Sequence, residues 1–150
     1  MADMFRIEIK GLEDLLNKFV TMEGQLDKIL EQATAAGAAV VVREAAINSR
    51  KGGQGGVRVN DEFPMKQTGN LMRSITVIRK KGTPGRVEMQ VGSDMEYAPR
   101  LEYGFNDVDS KGRRYHQRPR PFLRPALDEN QDEIQEEFEK AVKKFEELFK

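Results

Sequence analysis

Hydrophobic positions in this chain follow two spacings. Near the start, Phe5, Ile7 and Ile9 alternate with Arg6, Glu8 and Lys10. This period of two predicts a short half-buried strand closed by Gly11. From Leu12 the spacing turns to threes and fours. Leu12, Leu15, Phe19, Met22, Leu26, Ile29, Ala33, Ala36 and Val40 fall on one stripe of a long helix, with Glu13, Asp14, Lys18, Glu23 and Asp27 opposite. Unbroken to Ile47, such a helix is on the order of 50 Å long. Gly24 and Gly37 are its candidate bend points, each costing about 1 kcal/mol relative to Ala. The stripe reads as core packing ahead of a partner-binding coiled coil.

The period then vanishes. Ser49 to Gly56 reads SRKGGQGG, and the segment stays polar through Pro64. This predicts an extended mobile arm over about 49–67. No Gly-Lys-Ser/Thr follows it and no strand precedes it, so it is no phosphate-binding loop. Thr68 and Asn70 can cap a short turn that faces Leu71 and Met72 inward. Ile75 and Val77, with Ile78 on the other face, predict a strand. Val87, Met89 and Val91 predict a second, and Lys81-Gly82-Thr83-Pro84-Gly85 predicts the turn between them.

Met95 to Tyr103 predicts a short helix stopped by Gly104, with Tyr97 and Leu101 on one face. A basic loop without hydrophobic period occupies about 105–120. A last helix begins near Leu123, because Pro125 tolerates only a first turn. Its stripe runs Ala126, Leu127, Ile134, Phe138, Val142, Phe145 and Phe149. Acidic residues gather early and lysines later, an order that complements the helix dipole. The expected fold is α+β: a small antiparallel sheet packed against a long N-terminal helix and a C-terminal helix, with long flexible loops.

Length and composition sharpen this picture. The 150 residues form one expected domain, 1–150. With 38% hydrophobic and 33% charged residues, the chain has charge to spare beyond a compact globule's needs. Net charge is zero, so the whole molecule has no bias toward nucleic acid. The charge is nonetheless segregated. Arg100 to Arg124 holds seven basic against three acidic residues, and Asp128 to Lys150 nine acidic against four basic. Such polarity suits head-to-tail association of copies, and it also fits a solvated helix. The absence of cysteine excludes disulfides and thiolate metal sites. The N-terminus lacks the apolar run of a signal peptide, and no stretch reaches the ~18 apolar residues of a membrane span. A soluble protein made in the cytoplasm, without membrane association, is expected.

Catalytic chemistry finds little support. His116 is the only histidine and stands in an arginine-rich loop. No His or Glu pair has zinc spacing. Asp107 to Gly112 echoes a calcium loop but lacks its third oxygen ligand and closing Glu. Asp128, Asp132 and Glu136 read as a solvated face. No catalytic residue, metal or cofactor is therefore expected. The loop cations Lys111, Arg113, Arg114, Arg118, Arg120 and Arg124 stand among Tyr115 and Phe122, a pattern able to hold phosphates and stack bases. A solvated loop that pairs with acidic residues of a neighbouring copy explains them slightly better, since the neutral total charge argues against nucleic-acid binding as the primary role.

Three ordered blocks carry a family resemblance. They are Thr68-Gly69-Asn70-Leu71 with Arg73-Ser74-Ile75, then Tyr97-Ala98 with Leu101-Glu102-Tyr103-Gly104, then Arg118-Pro119 with Pro121-Phe122-Leu123-Arg124-Pro125-Ala126-Leu127. The set, with both flanking helices, resembles the tail-completion or head–tail joining proteins of long-tailed siphophages, also called neck or minor tail components. The resemblance implies a non-enzymatic structural protein, assembled in the host cytoplasm and located in the virion tail or neck. It implies a homo-oligomeric ring, six copies in most members, between the connector and the tail tube or tail terminator, with at most passing contact with DNA. The blocks would define the fold, with Tyr97, Tyr103, Phe122 and Leu123 anchoring their helices on the sheet. Interface residues would lie in the variable parts: Arg50, Lys51 and Arg58 in the arm, and Arg113, Arg114, Arg118 and Arg120 in the basic loop. The alternative function is a nucleic-acid-binding module using that loop. A prophage-borne regulatory or toxin-like protein is a third class that no residue favours.

Overall fold

In chain order the elements are β1 (Met4–Ile7), α1 (Gln25–Asn48), β2 (Gly53–Gln54), β3 (Val57–Arg58), α2 (Asn70–Ser74), β4 (Thr76–Thr83), β5 (Arg86–Gly92), α3 (Ala98–Tyr103), β6 (Phe105–Val108), β7 (Arg114–Gln117), α4 (Leu123–Asp128) and α5 (Gln131–Leu148). They come from a computed structural model that describes residues 4–7 and 25–148. The expected helix from Leu12 to Gly24, the strand position Ile9 and the stripe residue Phe149 lie outside the described residues. The architecture is α+β, as the spacing predicts.

Strand β5 is the middle of an antiparallel sheet ordered β1-β5-β4. Phe5 and Val77 both stand opposite Val91, so the three segments with period-two spacing share one register. The β4–β5 turn is tighter than the five residues expected. Thr83 already pairs with Arg86, which leaves Pro84-Gly85 as the loop. Pro presets the first central position, and Gly85 takes the second at φ 76, the requirement of a type II turn. A bulge lies between Val77 and Arg79. Val77 is exposed rather than part of an apolar face.

Helix α1 is wedged between this sheet and the C-terminal helices. Being covered on two sides, it buries more than one stripe: Leu30, Ala33, Ala38, Val41 and Ala45 are all enclosed. Gly37 is a packing position inside a continuous helix, not a break. A Cβ there would stand 3.1 Å from Cγ2 of Ile134, so α5 approaches as closely as glycine allows. Arg43 fastens the same pair of helices, donating to both carboxylate oxygens of Glu133 at 2.7 and 2.8 Å.

The C-terminal region is two helices where the stripe predicts one. The backbone turns at Glu129 and Asn130, and local side chains satisfy the freed carbonyls of α4. Asn130 Nδ2 donates to the Ala126 oxygen at 2.9 Å and Gln131 Nε2 to that of Leu127 at 3.0 Å. The apolar spacing passes through the break without a gap, which hid it. Phe122, Leu123 and Ala126 are fully buried at the centre of the core, with Val41, Ala45, Leu71, Ile75, Met89, Val91 and Ala98 around them.

Two expected loops carry structure. Residues 105–120 contain the antiparallel ribbon β6–β7, with Phe105 opposite Gln117 and Val108 opposite Arg114. Its residues are exposed or half-buried on both faces, so no alternation marks it in the sequence. The arm over 49–67 is not extended. It folds back as the β2–β3 hairpin, with Gly52 N–H on the Pro64 carbonyl at 2.8 Å and Lys66 N–H on that of Gly53 at 2.8 Å. Two of the four glycines, Gly52 and Gly53, stand where other backbone passes too close for a side chain. A Cβ on Gly52 would lie 2.2 Å from the Phe63 oxygen. Among the described residues no helix is long and apolar enough to cross a membrane.

Candidate functional site

Glu102 joins two of the sequence blocks. It lies on α3, only 3% exposed. Its carboxylate accepts three backbone N–H groups at the start of α4: Phe122 at 2.9 Å, Leu123 at 3.0 Å and Arg124 at 2.9 Å. The first N–H groups of a helix have no partner inside it, and a carboxylate there satisfies them and complements the dipole. The Leu-Glu-Tyr-Gly block and the Pro-Phe-Leu-Arg-Pro block are thus two halves of one joint. Arg120 N–H, on the Leu101 carbonyl, closes it further. Gly104 ends α3 at φ 79 and ψ 177, where a Cβ would stand 2.7 Å from the Gln117 oxygen. That conformation is essentially glycine's alone. Asn48 Nδ2 reaches the Phe122 carbonyl at 3.2 Å and ties α1 to the same point.

Most of the remaining motif residues lie in turns or in the core. Gly69, at φ 81, precedes α2, and the Thr68 hydroxyl accepts the Asn70 N–H. Ser74 Oγ donates to the Leu71 carbonyl and shares a 2.6 Å hydrogen bond with the buried Ser93 hydroxyl. Leu71, Ala98 and Ala126 are buried, while Pro121, Pro125 and Leu127 are half-buried. The tyrosines depart from expectation. Tyr97 and Tyr103 are 43% and 57% exposed, so Phe122 and Leu123, not they, anchor the helices.

Of the seven predicted interface cations, the structure brings three together. Arg58 from β3 meets Arg118 and Arg120, which follow β7, on the single carboxylate of Asp61. The distances are 3.6, 3.1 and 2.7 Å. Arg58 is further held by the Asn60 and Phe63 carbonyls, and Arg120 Nε by that of Asp61. The Arg120 guanidinium beside Asp61, with Arg118 and Arg58 behind it, holds that carboxyl below its ordinary 3.8. Three guanidinium groups against one carboxylate leave the joint positive.

The other four are elsewhere. Lys51 lies over the Phe63 ring, 5.1 Å from its centroid, and Arg50 is exposed at the end of α1. Arg113 pairs with Asp109 at 2.6 Å, and Arg114 is exposed on β7. Asp109 also accepts the Lys111 and Arg113 N–H groups and the Tyr115 hydroxyl. These bonds, the Arg113 N–H foremost, hold its carboxyl below the ordinary range. They fold the ribbon's turn, which accounts for the calcium-like spacing without a cation. Among the described residues no group of His, Asp and Glu fits a metal ion. The imidazole of His116, on the exposed ribbon, bonds Asn106 Oδ1.

Beside the Asp61 joint opens a cleft of about 580 Å³. The arm, the turn before α2, helix α3 and β7 form its walls. Arg58, Lys66, Arg100 and Arg120 line it, and no carboxylate does. Arg100 stacks over the Phe105 ring at 4.4 Å. Met65, Leu71, Met72 and Leu101 supply an apolar floor. Sequence reasoning missed Asp61, Lys66 and Arg100, because partners separated by up to 59 residues leave no local spacing to read. The one available signal is Lys66 and Arg100 lying within or beside the motif blocks.

A family model described as "Bacteriophage HK97-gp10, putative tail-component" matches residues 13–104, more than half of the chain. The match takes in the Thr-Gly-Asn-Leu and Leu-Glu-Tyr-Gly blocks and stops before the Pro-Phe block that Glu102 holds. No curated protein and no solved structure matches the chain. The chain belongs to the HK97-gp10-like family of bacteriophage tail components.

Proposed function

We propose that this tail component acts at the head–tail joint, as a ring of six copies between the connector and the tail tube or tail terminator. It assembles in the host cytoplasm and works by contact alone, without catalysis. The supporting observation is the convergence of arm and ribbon on Asp61. Two exposed segments, distant in sequence, are fastened to each other as a single cationic face. A net-neutral protein gains from such a face when anionic surfaces of neighbouring subunits must dock in one orientation. The acid-rich α5 supplies a face of opposite sign, and two unlike faces on one chain form the heterologous interface from which rings close.

The nucleic-acid reading loses ground on the same geometry. Of Arg113, Arg114, Arg118 and Arg120, three are paired with Asp109 or Asp61, and only Arg114 has no carboxylate partner among the described residues.

Deleting the gene from its phage or prophage and viewing the induced lysate by negative-stain electron microscopy tests the proposal. DNA-filled heads lying apart from finished or overlong tails support it. Normal joined particles refute it.

A further inference from the structure

Resting on that reading, we infer that the cationic cleft receives the acidic outer face of α5 from a second copy of the chain. The cleft brings four cationic side chains to one concave surface. The Asp61 carboxylate is already shared among Arg58, Arg118 and Arg120. Lys66 and Arg100 have no carboxylate partner among the described residues. A site with that charge and an apolar floor selects carboxylate-bearing side chains whose methylene stems cover the methionines.

The chain itself carries the complement. Asp128 ends α4, and after the turn Asp132 and Glu136 stand four residues apart on α5. All three are exposed; Asp128 and Asp132 have no cationic partner among the described residues, and Glu136 interacts with Lys140 by charge alone. Like charges at that spacing weaken a helix rather than support it. The neighbouring acids differ, since Glu133 holds Arg43 and Glu137 holds Lys140. Asp132 gains from the helix start and Glu136 from Lys140, but neither carboxylate is held by a hydrogen bond among the described residues, so both remain open to a second copy. Because α5 lies along α1, its outer face is open to another subunit. Each copy then offers one cleft and one acidic row, so contact propagates head to tail.

Charge reversal in the full-length chain tests this, read by sedimentation velocity at about 50 mM and 500 mM salt. Asp132→Lys with Glu136→Lys removes the row, and Lys66→Glu with Arg100→Glu reverses the cleft. Each pair is expected to weaken self-association about 100-fold or more, since like-charge contacts in an interface cost several kcal/mol. Mixing the two variants is expected to restore larger species, because the intact cleft of one receives the intact row of the other and the two reversed faces also complement each other. Combining all four changes in one chain is expected to restore assembly, which no folding defect could do. Higher salt is expected to dissociate the wild type.

Wild-type assembly that none of the reversals disturbs would overturn this inference and leave the ring reading standing. A wild type that remains monomeric at all concentrations would overturn both. Reversals that abolish binding of a DNA duplex but spare assembly would assign the cleft to phosphates instead.

Discussion

Glu102→Ala should be among the most damaging single changes in the protein. The carboxylate accepts three backbone N–H groups, two of them on the fully buried Phe122 and Leu123. Alanine leaves both donors without a partner in a region that water does not reach. Each such donor costs about 1–3 kcal/mol, and hydrogen bonds to a charged group lie at the upper end. The third donor, on the more exposed Arg124, can turn to solvent and adds little. The expected loss is about 3–5 kcal/mol, a large share of the ~5–15 kcal/mol that holds a domain folded. At this chain length each kcal/mol moves Tm by about 2–4 °C, so a fall on the order of 10 °C is expected. Glu102→Gln keeps one oxygen and turns an amide N–H toward a donor, so it should fall between wild type and alanine. Urea unfolding with a common slope is the assay. An alanine variant within about 0.5 kcal/mol of wild type would refute the reasoning, because ordinary surface substitutions lie in that range.

Three further outcomes follow from the geometry. Gly104→Ala should cost about 2–4 kcal/mol in the same assay, since it forces φ 79 on a side chain and sets a Cβ against Gln117 and Pro119. Gly37→Leu should cost about 1–3 kcal/mol by driving α5 off α1, and a double-mutant cycle with Ile134→Ala should recover part of the loss. The Asp61 carboxyl is depressed in the folded state, so its contribution is fully present above the ordinary 3.8 and disappears as pH falls through the folded value. Stability measured from about pH 6 downward should therefore decline less steeply in Asp61→Asn than in wild type, with no difference in slope near neutrality.

The fold was legible wherever one face is buried. The alternation of Val87, Met89 and Val91 predicted β5 and its hairpin with β4, and the strand at Phe5 and Ile7 pairs with β5 from the other side. Gly104 and Pro125 marked helix boundaries, the glycine because it accepts a backbone other residues resist and the proline because it tolerates only a first helical turn. Spacing failed where burial departs from one face. Helix α1 is enclosed on two sides, so its buried set is wider than the stripe, and the β6–β7 ribbon has no fully buried face. The break at Asn130 is made by side-chain hydrogen bonds that leave the apolar rhythm intact. The arm's fold-back has a chemical reason that composition hides. Glycine suggests freedom, but Gly52 is required because two carbonyls pass where a side chain would sit.

The site was legible only as a population of arginines. Their type and two segments were apparent from the sequence, but which of them meet was not. Asp61 selects Arg58, Arg118 and Arg120 and leaves Arg113 to Asp109, a division set by tertiary distance alone. Glu102 is similar. It stood in a recognised block, yet a buried carboxylate and a solvated one look alike in a sequence until the helix start it serves is in place.

The central claim is that this tail component forms a ring layer at the head–tail joint. Cryo-electron microscopy of the intact virion, focused on the neck, tests it most directly. The account predicts a ring between connector and tail tube into whose density residues 25–148 fit, with α5 of each copy against the Arg58–Arg120 cleft of the next. Density for the chain along the tube or at the distal tip, and a neck built wholly of other proteins, would contradict it.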